Sequence, residues 1–232
     1  MKAFVRYQLI SYIRTLKFIP SAAIFLVWVF ILYAYKNVPI LSSYAVSSIA
    51  LYLTIAWITM SIFTMEEESE KHILFAHLKS KGRFLAGKWI GLLIIMFILA
   101  LFAIFYPLII GSFFRKMTVG DYGMAFYSHI IFAFFGILVG TLFSATTLSL
   151  KKYAWLSAVF VIIASLATKS LIESFPFLEW IVWIFPPVFK VIKYMEDPII
   201  VDISFMIDLI FVLLYTLGIA VLTFFLFKRK ER

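Results

Sequence analysis

The chain contains no cysteine and little charge. None of its 232 residues is cysteine, and Asp, Glu, Lys and Arg together make up only 14%. The absence of cysteine excludes disulfides, thiol catalysis and cysteine-ligated metals. Because a soluble domain is about a quarter charged, so small a charged share excludes an ordinary soluble domain. Acidic residues are scarcer than basic ones, 12 against 21, and the formal net charge is +9.

Long hydrophobic runs take the place of the missing charge. Hydrophobic residues make up 64% of the chain, and 27 residues are phenylalanine. A bilayer core about 30 Å thick needs about 20 apolar residues in a helix. Six runs meet or approach that length, at 19–35, 44–64, 89–110, 125–148, 153–172 and 205–227. The sequence therefore predicts an all-α membrane protein with six transmembrane helices, forming a single domain over residues 1–232.

Lysine and arginine are unevenly distributed between the two sides of these spans. With the N-terminus inside, 15 of the 21 basic residues fall on inner segments. Basic residues concentrate in the cytoplasmic segments of membrane proteins. We therefore expect a multi-pass protein of the cell membrane with both termini in the cytoplasm. In this setting the net charge follows from topology, and we expect no nucleic-acid partner.

Two further segments are predicted to lie at the membrane surface. In residues 1–18, apolar side chains recur at helical spacing and make one stripe, formed by Val5, Leu9, Tyr12, Ile13 and Leu16. We interpret this segment as an amphipathic helix in the inner interface, the alternative being a frayed basic tail. Residues 173–198 are interrupted by Pro176, Pro186 and Pro187. They are predicted to form two short helices or a re-entrant hairpin in the outer leaflet.

The fourth predicted span carries small residues along one face. Gly136 and Gly140 form a GxxxG motif on that face. Small residues let two helices approach closely in lipid, where packing drives association. The motif fits packing within the chain, and it also fits a seam between two copies.

Motifs that carry chemistry are sparse. Residues 82–89 approach the phosphate-binding pattern G-x-x-x-x-G-K-[ST], but Trp89 stands where a hydroxyl must bind magnesium. His72 and His77 are five residues apart, so on a helix they point to different faces. Asp208, the one acid that falls within a span, is predicted to lie at the interface near the outer end of that span. We therefore expect no enzyme activity and no cofactor in this chain.

One strongly charged segment separates spans two and three. Residues 65–88 hold four glutamates, followed by five basic residues. Acidic residues at the start of a helix and lysines at its end complement the helix dipole. Glu67 and Lys71 are predicted to pair at the i, i+4 spacing, and Gly82 is predicted to end the helix. The segment fits either a docking surface for a partner or a solvated charged loop.

In the order of these elements the chain resembles a permease subunit of the ABC transporter class, of the type-2 exporter kind. The likeness covers nearly the whole chain. It includes an amphipathic "elbow" helix before span one, six spans, an acidic-then-basic segment after span two, a Gly-Lys pair at the opening of span three and proline-interrupted re-entrant helices between spans five and six. The resemblance implies that residues 65–88 form the coupling helix, which sits in a groove of the ATPase. The implied contact residues are Glu66, Glu67, Glu68, Glu70, Lys71, Leu74, Leu78, Lys79, Lys81, Gly82 and Lys88.

The same resemblance implies the partners and the cargo. Two cytoplasmic ABC ATPase subunits would supply the energy, with ATP and Mg bound in those subunits. A second permease chain, identical or different, would complete the transporter in the bilayer. Exporters of this kind move hydrophobic or amphipathic substrates, and we expect a peptide, such as an antimicrobial or toxin peptide, or a drug. The alternative is a non-transport membrane protein, an immunity or partner-assembly factor, that uses the same cytoplasmic loop.

Overall fold

The computed structural model describes residues 1–148, 151–175, 177, 179–197, 199 and 201–231. The helices of this part of the chain are α1 (Lys2–Arg14), α2 (Phe18–Leu32), α3 (Ile40–Phe63), α4 (Glu68–Leu78), α5 (Lys81–Ile110), α6 (Val119–Ala145), α7 (Ala154–Ser174), α8 (Glu179–Val182), α9 (Phe189–Ile192) and α10 (Ile203–Lys230). A 3-10 turn over Lys151–Tyr153 precedes α7. Among the described residues no β-strand forms, and the all-α fold class is confirmed.

Among the described residues, five helices are long and apolar enough to cross a bilayer: α3, α5, α6, α7 and α10. The helices α1 and α2 pass the same test only as a pair, with a bend of 78° between them. Because α2 has 15 residues, it is about 22 Å long and shorter than the predicted run 19–35. The architecture is that of a multi-pass membrane protein with five spans, or six when the bent pair is counted as one.

The short helix α2 nevertheless connects the two ends of the bundle. At one end, α1 lies against α4, and Tyr7 donates a hydrogen bond to Glu70. At the other end, the Ser112 hydroxyl that follows α5 donates to the carbonyl oxygen of Tyr33, just after α2. We call the end that holds α1, α4 and the last turn of α10 the charged end. The opposite end holds α8, α9 and residues 33–39 and 111–118.

Helix α1 ends earlier than its predicted boundary at residue 18. It stops at Arg14, and Leu16 takes a left-handed backbone conformation with φ 56°. The residues that α1 buries against the bundle are Phe4, Val5, Gln8 and Tyr12. Ile13 and Leu16 of the predicted stripe remain 57% and 58% exposed. Part of the predicted stripe therefore packs on the protein and part faces outward, and the position of α1 in the inner interface stays a prediction.

Helices α3 and α6 form the centre of the bundle, with α2 and α5 packed on α3, and α5, α7 and α10 packed on α6. Gly136 and Gly140 lie on the face of α6 that meets α3. A Cβ atom at Gly136 would lie 2.7 Å from the carbonyl oxygen of Tyr52, and one at Gly140 would lie 2.8 Å from that of Ala56. Both distances are too short for a carbon atom, so the glycines allow two backbones within one chain to touch.

The segment between α7 and α10 contains two short helices, α8 and α9, of four residues each. Val188 and Val191 are fully buried, and the Tyr215 hydroxyl of α10 donates to the carbonyl oxygen of Ile184 at 2.6 Å. The segment therefore packs on the bundle. Pro176 of the predicted interruption lies outside the described residues, as do Leu178 and Pro198.

Asp208 holds this segment to α10. Its carboxylate accepts hydrogen bonds from Lys190 at 2.6 Å and from Tyr194 at 2.9 Å, and it pairs with Lys193. Asp208 lies near the start of α10 and is only 5% exposed, and its position at the membrane interface stays a prediction. The side chains of α9 and the turn after it cover the carboxylate, and they satisfy a charge that would be costly in lipid.

Candidate functional site

Helix α4 crosses the charged end of the bundle and begins and ends with local signals. Glu67 caps its start with an extended backbone, and Glu68 and Glu70 lie in the first turn, where they complement the helix dipole. Lys79 ends α4 with a left-handed backbone, φ 54°. The prediction that Gly82 ends the helix is wrong, because Gly82 lies in the first turn of α5. A Cβ at Gly82 would lie 3.0 Å from the ring of Phe224, so this glycine admits the ring of α10.

An aromatic cluster attaches one side of α4 to the bundle. Phe75 lies at its centre, with ring centroids 4.9 Å from Phe84 of α5 and 6.4 Å from Phe227 of α10. Leu74 and Leu78 are partly buried against the same cluster. These two leucines therefore face their own chain, whereas the resemblance implied that they contact an ATPase.

The innermost charges of the segment form a buried ion pair. Lys88 donates to Glu66 at 2.6 Å and to the carbonyl oxygen of Ile62 at 2.6 Å. The side chains of Lys88 and Glu66 are 0% and 4% exposed, and Gln8 of α1 donates to the second oxygen of Glu66. These two residues therefore connect α1, α3 and α5 inside the protein. Their burial does not fit the predicted role at the surface.

A second group of contacts connects α4 and the start of α5 to the last turn of α10. Lys71 pairs with the carboxylate of Glu231, and Lys81 donates to the Glu231 carbonyl oxygen. The predicted pair between Glu67 and Lys71 is therefore wrong, because Lys71 turns toward α10. Tyr7 of α1 donates to Glu70 at 2.5 Å, and this hydrogen bond raises the pKa of Tyr7.

The side of α4 away from the cluster is open. Its exposed residues recur at the three- and four-residue spacing of one helical face, and they are Ser69, His72, Ile73, Ala76 and His77. We call these five residues the open face of α4. Ile73 is 58% exposed. Glu67 and Glu68 are exposed at one end of the open face, and Lys79 and Arg83 are exposed beyond the other.

The described residues contain no group of three or more histidine, cysteine, aspartate or glutamate side chains placed to hold a metal ion. His72 and His77 are both exposed at opposite edges of the open face, because a spacing of five residues separates them by about 140° around the helix. Residues 82–89, which approach the phosphate-binding pattern, lie within the continuous helix α5. At the charged end, ion pairs and aromatic packing inside the chain hold α4 in place and leave its open face exposed.

The charged segment is visible in the sequence, but the division of its charges between the inside and the open face is not. The pairing of Glu66 with Lys88 and the contacts of Gln8, Tyr7 and Glu231 appear only in the structure. A spacing of 22 residues between Glu66 and Lys88, or of 160 between Lys71 and Glu231, has no periodic signal. Only helix packing brings these residues together.

The fold and the charged end define the class of molecule: an all-α, multi-pass membrane protein with a short surface helix attached across one end of its bundle. Comparison of the chain with protein-family models, with curated proteins and with solved structures finds no match.

Proposed function

We propose that this chain is the permease subunit of an ATP-driven ABC exporter, and that α4 is its coupling helix. The observation that carries the proposal is the open face of α4. A coupling helix must transmit movement, so it must be held firmly to its own chain while it presents a free face to the motor. Phe75 and Lys71 provide the attachment, and Ile73 and its exposed neighbours provide the free face.

The proposed assembly contains two ATPase subunits and a second permease chain. ATP and Mg are bound in the ATPase subunits, and this chain hydrolyses nothing. We place the charged end in the cytoplasm, because α1, α4 and the last turn of α10 belong to the predicted inner segments, which by sequence hold 15 of the 21 basic residues. The α1 helix then lies in the inner interface as an elbow helix. The cargo is a hydrophobic or amphipathic molecule, a peptide or a drug, that leaves the cell across its membrane.

The structure changes which residues we assign to the ATPase contact. Glu66, Lys71, Lys81 and Lys88 are engaged inside the chain, and Leu74 and Leu78 are partly buried. The contact is therefore proposed to use the open face of α4, with Glu67, Glu68, Lys79 and Arg83 around it. This surface is mildly apolar at its centre and carries opposite charges at its two ends.

Substitution of Ile73 by Asp tests the docking surface. A carboxylate that enters an apolar contact without a partner loses its hydration, so the Ile73→Asp chain should bind its ATPase at least about tenfold more weakly and should lose transport. Because Ile73 is exposed, the variant should fold as the parent does. The measurement is recovery of an ABC ATPase with the tagged permease, quantified by mass spectrometry.

Leu148→Asp is the matched control for this experiment. Leu148 is also an exposed apolar residue, 54% exposed, and it follows α6 outside the open face. It should leave ATPase recovery unchanged. Equal recovery with Ile73→Asp and the parent chain would contradict docking at α4. Failure to recover any ABC ATPase with the parent chain would favour the alternative, an immunity or partner-assembly factor that uses the same face.

A further inference from the structure

Helix α1 and the turn after it carry basic side chains that nothing inside the protein neutralises. Residues 1–65 contain no aspartate or glutamate. Lys2, Arg6, Arg14 and Lys17 are all exposed. Within the part of the chain that the structure describes, none of these four side chains takes part in an ion pair, a hydrogen bond or a cation–π contact. Four cations are therefore free to bind an anion outside the protein.

The basic residues of α1 lie on the side of the helix that faces away from the bundle. At about 100° per residue, Lys2, Arg6 and Arg14 fall within about 120° of the helix circumference. Ile10 and Ile13 fall in the same sector and are 37% and 57% exposed. We call these five residues the basic face of α1. The residues that α1 buries against the bundle occupy the opposite side.

The bend between α1 and α2 lays the basic face along the membrane surface. The two helices meet at 78°, and α2 connects the two ends of the bundle. A helix at nearly a right angle to α2 runs along the surface and does not enter the hydrocarbon. In this position isoleucine side chains reach the acyl chains, while lysine and arginine extend to the level of the head groups.

Helix α1 is held in this position by contacts on its packed side. The Gln8 amide donates a hydrogen bond to Glu66, and the Tyr7 hydroxyl donates to Glu70. These two carboxylates therefore contact α1 without using its basic residues. The basic face is presented on a helix that is already fixed, so its cations keep their spacing in the absence of a ligand.

The chemistry of the basic face selects among the surfaces that could cover it. A bilayer leaflet offers phosphate and hydrocarbon at the same level, which matches arginines interleaved with Ile10 and Ile13. A zwitterionic head group brings its own ammonium group, and the basic face would repel it. An anionic head group brings the phosphate without that cation. Basic clusters on amphipathic helices bind anionic lipid, and each lysine or arginine contributes about fivefold in affinity.

We propose that α1 and the turn after it bind anionic phospholipid of the phosphatidylglycerol type in the leaflet at the charged end. The guanidinium groups of Arg6 and Arg14 donate to lipid phosphates, with Lys2 and Lys17 beside them. The exposed isoleucines lie among the first methylene groups of the acyl chains. The site depends on the geometry of α1 and not on the docking of an ATPase.

Competitive lipid retention by the full-length chain tests the proposal. The delipidated protein is incubated in detergent with equal amounts of phosphatidylglycerol and phosphatidylethanolamine that carry the same acyl chains. It is then recaptured and washed, and the retained lipids are quantified by mass spectrometry. In about 0.1 M NaCl phosphatidylglycerol should be favoured at least about fivefold, and the preference should vanish in about 1 M NaCl, where the Debye length is only about 3 Å. Equal retention at low salt, or a preference that high salt leaves unchanged, would overturn the proposal.

A double variant assigns the retained lipid to α1. Arg6→Gln with Arg14→Gln changes two exposed side chains and should lower the preference severalfold, toward equal retention. Arg6→Lys with Arg14→Lys keeps both charges and should keep the preference, which separates loss of charge from loss of folding. The matched control is Lys36→Gln with Lys116→Gln, because it removes the same charge from exposed positions at the opposite end and should change nothing.

Two outcomes with the glutamine double variant would contradict binding at α1. An unchanged preference for phosphatidylglycerol would place the anionic lipid elsewhere on the protein. Loss of a co-purifying acidic protein, with the lipid preference unchanged, would show that the basic face meets a protein surface instead of the leaflet.

Discussion

Charged residues that are neighbours in the chain differ in burial at the charged end. Glu66 and Lys88 are buried and face one another, whereas Glu67 and Lys79 are exposed. A buried ion pair does not by itself stabilise a fold, because desolvation offsets the attraction between the charges. Loss of one partner, however, leaves the other charge buried and unpaired, and this loss is strongly destabilising.

Lys88→Met tests the buried pair. The variant leaves the Glu66 carboxylate without its cation and should lower the free energy of unfolding by about 3–5 kcal/mol. The double variant Lys88→Met with Glu66→Gln removes both charges, keeps an acceptor for Gln8 and should recover most of that loss. Thermal unfolding in detergent, followed by tryptophan fluorescence, measures both. An unfolding temperature for Lys88→Met equal to that of the control Lys79→Met, a change at an exposed lysine, would contradict the role of the pair.

At the scale of helices, the position of the glycines decides which pair of helices packs closest. Gly140 of α6 leaves no room for a side chain, because a Cβ there would lie 2.7 Å from the Cβ of Thr59 on α3. Gly218 of α10 has nothing within 4 Å of the same position. Gly140 is therefore needed for close helix packing, whereas the position of Gly218 has room for a side chain.

Gly140→Ala and Gly218→Ala form a matched pair that tests this packing. The first forces α6 away from α3 and should destabilise the protein by about 1–3 kcal/mol. The second fills open space and should leave the protein unchanged or stabilise it by a few tenths to about 1 kcal/mol, because alanine loses less backbone entropy in a helix. Unfolding temperatures in detergent compare the two, and equal temperatures would show that α3 and α6 are not in close contact.

At the scale of the whole molecule, the charged end and the opposite end are separated by the length of the long helices. The charged end collects α1, α4 and the last turn of α10, and the opposite end collects the contacts of Asp208 and Arg115. Arg115 pairs with Asp121 at 2.6 Å and with Asp197 at 2.6 Å, and these carboxylates raise the pKa of Arg115. Each end of the bundle is therefore stabilised by its own ion pairs, and the apolar parts of the long helices lie between the two ends.

Cysteine labelling tests the orientation of the two ends. The parent chain has no cysteine, so a maleimide can label only the single cysteine that is introduced. In intact cells a membrane-impermeant maleimide should label Val119→Cys, since Val119 is 90% exposed at the opposite end. It should not label Ser69→Cys on α4 until the cells are lysed. Labelling of Ser69→Cys in intact cells would contradict the proposed orientation. It would show that α4 lies outside the cell, where no ATPase can bind it.

The helices and the membrane class of the protein follow from the sequence alone. Apolar runs about 20 residues long have few alternatives to membrane helices, because unpaired backbone groups are too costly in lipid. The runs at 44–64 and 205–227 accordingly lie within or close to the helices Ile40–Phe63 and Ile203–Lys230. The charged segment was also visible, because five charges among the six residues 66–71 stand out in a chain of this composition. No orientation in the membrane and no partner follows from the helices alone.

Which charges face inward depends on how distant segments of the chain pack together. Glu66 and Glu67 are neighbours of the same chemical type, yet one is buried against Lys88 and the other is exposed. The difference arises because α1, α3 and α5 converge at Glu66, and no local pattern encodes where three helices meet. Leu74 faces the aromatic cluster and Ile73 faces outward for the same reason. Packing between distant segments, through Phe75, Phe227 and Glu231, sets the rotation of α4 and so selects the face that remains open.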